Sequence, residues 1–377
     1  MGLGGEKRKE YGGKMKKNIF YIELLRVVAA VAVIAIHVLG PYRYINGQIP
    51  LSDWVSAIAI NGASRWAVPV FIMITGALLL SDTRPFSPHY FVRRRLMKVL
   101  VPFLVWSVFY AFLAGLSLQN VNWTESVQRL TSLPYEETYY HLGFFYYFIP
   151  LYFLVPILRP VVQRDDPALF YTLLGCWLIL CTARLMGVSL GLVEDLVLYG
   201  GYLLLGVMLH RQKLPVRILL FVGLLALVAT EYTAISGSVS KGAYTSAGWF
   251  SYKTVNTVLI AAAVFVLCQQ WAEKVSAPVQ RKIAAVSRHS LGIYLVHPLF
   301  LWPVRELAFT PSMAWLFIPL MTLAVFGASY LASVALSRWR LTAWLVPDHC
   351  TRCSLAKWIK SRPRYVRVPQ SPGCRAW

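Results

Sequence analysis

Three ionisable residues stand inside the first long apolar stretch of the chain, Ile19 to Leu39: Glu23, Arg26 and His37. An ionisable side chain at the centre of a bilayer costs roughly 2.5–3.5 kcal/mol on the insertion scale, so a helix that served only as an anchor would need none of them. On an ideal α-helix, Arg26 and His37 differ by about 20° in direction and about 16 Å along the axis, so both face the same way. Glu23 precedes Arg26 by one turn, the i,i+3 spacing of a stabilising pair. Imidazole is the side chain whose ordinary pKa suits proton transfer near neutral pH. A guanidinium orients anionic groups or stabilises developing negative charge. The stripe therefore offers acid–base chemistry within a membrane. The plainer alternative is a structural Glu23–Arg26 pair beside a hydrogen-bonded histidine.

The elements that position these groups are apolar helices. The chain has 377 residues, 57% of them hydrophobic and only 14% charged, against about a quarter charged in an ordinary soluble domain. Long Leu- and Val-rich stretches recur without the alternation of barrel strands. This composition predicts an all-α, polytopic helical membrane protein of about ten transmembrane helices, near 19–39, 55–81, 96–118, 141–162, 168–186, 196–210, 216–235, 254–271, 288–307 and 313–337. Lysine and arginine concentrate on one set of alternating connections and in both tails, so the positive-inside rule puts both termini in the cytoplasm. The organisation read from this is a basic N-terminal tail over 1–17, a transmembrane domain over 18–340 and a basic C-terminal tail over 341–377. The net charge of +21 then follows from topology and attraction to anionic lipid. It is not the clustered basic face of a nucleic-acid-binding protein, and no nucleic-acid partner is expected. Arg26 and His37 exclude a cleaved signal peptide over 19–39. Met15-Lys16-Lys17 is a second candidate start to the chain.

Further along, Asn61 to Arg65 interrupts the second stretch, so Asp53 to Ile60 is expected along the outer interface, with the span proper starting near Trp66. Arg93, Arg94, Arg95 and Lys98 open the third span from the cytoplasmic side. They read either as a topogenic cluster or, through the i,i+3 neighbours Arg95 and Lys98, as a clamp for phosphates. His141 opens the fourth span on the outside, and His297, followed by Pro298, stands well inside the ninth. The aromatic residues Trp123, Tyr135, Tyr139, Tyr140, Tyr146 and Tyr147 form either an interfacial belt or a surface for stacking on sugar rings. Cys350 and Cys353 have a CxxC spacing but no second ligand pair, and no metal cluster or nucleophile motif is present in the sequence. No internal repeat of the transporter kind is visible. Polar residues within spans still leave two classes open, an enzyme and a transporter or flippase of a polar or lipid-linked solute.

Five segments taken in order resemble the membrane-integral acyltransferase-3 family. The first is Arg26 followed after ten residues by His37, with Glu23 where the family usually has Asp. The second runs from Ser64-Arg65-Trp66 through Pro69 to Thr75-Gly76. The third is Arg95-Leu96-Met97-Lys98 with Pro102, in which Lys98 replaces a second Arg and keeps charge without the bidentate fork. The fourth is His141-Leu142-Gly143-Phe144-Phe145, where Gly143 replaces the usual Trp, and the fifth runs from Ser287 to His297-Pro298. The resemblance implies transfer of an acyl group, with acetyl-CoA as donor substrate and no metal, to a saccharide or lipid-linked glycan acceptor at a bacterial inner membrane. It implies His37 as general base with Arg26 and Glu23 in the catalytic group, and the donor held by Arg94, Arg95 and Lys98. Ser64, Arg65, His141 and His297 become acceptor or secondary positions. The donor's extended arm would then run along the Arg26–His37 face.

Overall fold

The computed structural model describes residues 3–347, apart from 165, 166, 213, 246 and 247, with side chains described from Phe20 onward. The Cys350–Cys353 pair and the tail beyond residue 347 lie outside the described residues. The described chain is helical, with no strand among these residues. In order, the helices are α1 (Leu3–Val38), α2 (Leu51–Ser64), α3 (Ala67–Leu79), the short α4 (Pro88–Phe91), a π-helical turn (Val92–Leu96), α5 (Met97–Ala114), α6 (Trp123–Thr131) and α7 (Gly143–Gln163). They continue as α8 (Ala168–Leu185), α9 (Glu194–Arg211), α10 (Val216–Lys241), α11 (Val255–Lys274), α12 (Ala277–Ser287), α13 (Ser290–Glu306) and α14 (Ala314–Arg338). Among the described residues, nine helical segments are long and apolar enough to cross a bilayer. The expected span outside these nine is the ninth, 288–307, which corresponds to α13, whose 17 residues reach about 25 Å. It packs against α1 and α14. The architecture is thus an all-α, polytopic membrane bundle.

Helix α1, the α2–α3 pair, α9 and α11 form the interior of the bundle, while α8, α10 and α14 present most of their surface outward. Apolar tails do not drive helices together in lipid, so close backbone packing must hold the interior. The tightest seam is between α3 and α9. A β-carbon on Gly76 would collide with the backbone of Leu203, and one on Gly206 with the backbone of Met73. Only glycine at both positions allows the two helices to approach this closely.

The segment after α1 is also interior, contrary to the expectation of an interfacial run. Trp54 and Ile58 are fully buried in α2. The Asp53 carboxylate accepts from the amides of Met313 (3.1 Å) and Ala314 (2.8 Å), capping α14 from a distant part of the chain. That cap satisfies helix-end donors and favours the positive end of the helix dipole, which compensates for burying the acid. Tyr42 donates to the Pro311 carbonyl at 2.8 Å, and the Trp54 indole donates to the Arg43 carbonyl at 3.1 Å. These bonds tie the outer ends of α1, α2 and α14 together. The break at Asn61 to Arg65 is present as the junction of α2 and α3. Pro69 falls in the first turn of α3, where its missing N–H is tolerated.

Candidate active site

Two polar clusters are strung along α1. The outer one gathers the three histidines that the sequence places in different spans. The His37 ring stacks on that of His297 with centroids 5.2 Å apart, and His297 meets His141 edge-on at 5.5 Å. Tyr140 closes the group, 4.8 Å from His37 and 5.7 Å from His141. Above it, the Arg305 guanidinium lies 3.6 Å from the centre of the Tyr140 ring. Helix α13 therefore brings His297 and Arg305 against the C-terminal half of α1, and the turn before α7 brings Tyr140 and His141.

The three imidazoles are not equivalent. His297 Nδ1 lies 2.6 Å from the Tyr294 carbonyl. A carbonyl can only accept, so Nδ1 carries the proton and Nε2 holds the free lone pair. That Nε2 is buried without a partner, as are both ring nitrogens of His141. Tyr294 anchors the same corner by donating to the His141 carbonyl at 2.5 Å. His141 and His297 are essentially inaccessible, whereas His37 is half-buried. His37 is thus the imidazole that a bound molecule could touch. Tyr140 keeps its phenol proton because burial pushes its pKa up, with Arg305 opposing, and its hydroxyl is buried without a partner. Among the described residues, no group of three His, Cys, Asp or Glu side chains is arranged to hold a metal ion.

Tyr140 also faces outward. With Tyr139, Thr138, Glu136, Glu137, Glu125, Arg129 and Ala114, it lines an open cleft of about 580 Å³ on the outer side of the bundle. The aromatic residues noted in the sequence divide here. Tyr139 and Tyr140 line the cleft, Tyr146 and Tyr147 belong to α7, and Trp123 and Tyr135 are exposed.

The inner cluster lies toward the N-terminal end of the apolar part of α1, the end expected to face the cytoplasm. Arg26 stands within electrostatic reach of Glu23, Tyr152 and Arg95, and Glu23 within reach of Arg26 and Arg288. The basic residues Arg93, Arg94 and Arg95 stand on the π-helical turn before α5. Such turns alter the register of a helix and frequently mark functional sites. Arg95 is half-buried and faces Arg26, while Arg94 and Lys98 are exposed. Arg159 of α7 is buried and holds the loop between α3 and α4, donating to the carbonyls of Asp82 (2.6 Å) and Arg84. Arg65 joins neither cluster. Its guanidinium lies 4.1 Å from the Tyr252 ring centre, near the stacked pair Tyr147–Tyr199, and Ser64 is buried beside it.

Between the clusters the α1 face is closed. Ala30 and Val33, which lie on the line from Arg26 to His37, are buried at 2% and 3% exposure. The expected groove for a donor arm is therefore not open along this line, and neighbouring helices must part there before an extended molecule can span both clusters.

A family description of an acyltransferase domain matches residues 19–334. The chain belongs to that acyltransferase-3 family, and the protein is an acyltransferase of the multi-pass membrane class. No curated protein and no solved structure matches the chain.

Proposed function

We propose that the protein transfers acetyl from acetyl-CoA to a hydroxyl of a cell-envelope saccharide or lipid-linked glycan, at a bacterial inner membrane, with His37 as general base. The resemblance within the family is to the enterobacterial-common-antigen O-acetyltransferase and its relatives. The observation that carries the reading is the accessible His37 imidazole, backed by two buried histidines and separated from an outer cleft by one side chain, Tyr140. An acceptor hydroxyl reaching past Tyr140 gives its proton to His37, and its oxygen attacks the thioester carbonyl. The C–S bond breaks as the new C–O bond is completed. The departing sulfur takes the proton back from the imidazolium, and thiols near pKa 8.5 leave readily as thiolates. His297, fixed in one tautomer by Tyr294, holds the His37 ring by stacking. Arg26 with Glu23 and Arg95 receives the donor from the cytoplasmic side, where Arg94 and Lys98 add attraction for its phosphates.

The test is label transfer in detergent from radiolabelled acetyl-CoA to envelope glycans, with the product identified by mass. Transfer without any compartment or gradient requires an enzyme of this kind. Uptake of a solute into vesicles with no acetylated product would instead support a transporter.

A further inference from the structure

Two arginines that the proposed chemistry does not use converge beside His37. A β-carbon on Gly40, three residues after His37, would stand 3.2 Å from Arg305 Nη2 and 3.7 Å from Arg43 Nη2. Both guanidiniums lie within electrostatic reach of His37. Each buries its Nε without a hydrogen-bond partner, and neither forms an ion pair among the described residues. Asp53 is engaged by the Met313 and Ala314 amides, and Glu306 and the cleft glutamates Glu136 and Glu137, also at this end of the bundle, are exposed and form no ion pair with either arginine. Two half-buried like charges that approach one point without a counter-charge repel each other, and an anion between them removes that repulsion.

The aromatic neighbours leave room for such an anion. The Arg305 guanidinium carbon lies 3.6 Å over the Tyr140 ring centre, and that of Arg43 lies 5.6 Å from the ring centres of both Tyr44 and Tyr244. A guanidinium that stacks through its face keeps its in-plane N–H edge free, and that edge matches a carboxylate or phosphate in bidentate geometry. Glycine at position 40 keeps the space between the two tips clear. The position also separates this anion from the donor's phosphates. Arg43 and Arg305 lie past the outer end of α1, whereas Arg95 lies by Arg26 at the other end of the polar stripe.

We propose that Arg43 and Arg305 form an anion seat that takes a phosphate or carboxylate carried by the acceptor, close to the hydroxyl that is acylated. The seat rests on the reading of His37 as the acceptor-facing base, and it makes the acceptor an anionic glycan or a phosphate-linked one.

The experiment is site-resolved labelling of the full-length protein in detergent with phenylglyoxal, read by peptide mass spectrometry, with inorganic phosphate and glucuronate as competitors. Phosphate or glucuronate should slow labelling of Arg43 and Arg305 together. The probe effective at the lower concentration tells a phosphate-bearing acceptor from a carboxylate-bearing one. Protection of Arg43 in Arg305→Gln should need about tenfold more of that probe, the effect of losing one charge-assisted hydrogen bond. Arg305→Lys should recover only part of it, and Arg95→Gln should leave it unchanged. Labelling of both arginines that neither probe alters would overturn the seat, as would protection that survives in Arg305→Gln. The outcomes separate from those of the proposed function. Acetyl transfer without protection removes the seat alone, while protection without acetyl transfer leaves an anion site at Arg43 and Arg305 and removes the acetyl donor and glycan acceptor of the proposed function.

Discussion

Replacing His37 by alanine separates chemistry from packing. The ring is half-buried and makes no hydrogen bond among the described residues, and its ring contacts are the stacked imidazole of His297 and the tilted ring of Tyr140. Losing two ring contacts of this kind costs about 1–3 kcal/mol of stability. That lowers the unfolding temperature by a few degrees in a chain of this size. Loss of a general base lowers the rate by about 10²–10⁴-fold, equivalent to roughly 3–5 kcal/mol in the barrier. The two effects are read separately, by thermal unfolding in detergent and by single-turnover acetyl transfer. Because His37 opens onto accessible space, millimolar imidazole should restore part of the rate in His37→Ala. The same addition should not restore His297→Ala, since that ring is fully enclosed. His37→Ala retaining more than a tenth of the wild-type rate would refute the assignment of the base. Equal rescue of both variants would refute the ranking of the histidines by accessibility.

Two further outcomes concern the scaffold. Asp53→Ala leaves the Met313 and Ala314 amides without their acceptor and should destabilise the protein by about 2–4 kcal/mol, measured by denaturation in mixed detergent. Asp53→Asn keeps one acceptor and should lie between it and wild type. Gly206→Ala forces a methyl against the Met73 backbone and should cost about 1–3 kcal/mol, whereas Gly175→Ala, where a β-carbon meets nothing, should be neutral or slightly stabilising. Equal effects at the two glycines would show that the α3–α9 approach does not limit stability.

Much of this protein can be read along the chain because a bilayer imposes simple demands on it. Each crossing must be an apolar helix of about twenty residues, so span number and class follow from composition, and the basic bias sets the orientation. An ionisable group inside such a stretch is costly enough to stand out, which is how Glu23, Arg26, His37 and His297 were found. The same rule could have raised Arg305, near the end of an apolar helix, but at a span end an arginine reads equally well as an interfacial anchor. Arg43 lies in the turn after α1, where a cation needs no explanation.

Only the folded chain decides which of these groups meet. His37, His141 and His297 come from α1, the turn before α7 and α13, and no periodicity links positions on separate elements. The inward turn of Arg95, unlike Arg94 and Lys98, falls on a π-helical register that local propensity does not encode. Asp53 to Ile60 has the composition of an interfacial segment, yet it is interior because its acid caps α14 from 260 positions away along the chain. The closed face at Ala30 and Val33 is likewise a property of the neighbouring helices. A residue's own helix fixes the direction it points, and what it points at is set by packing between helices distant in sequence.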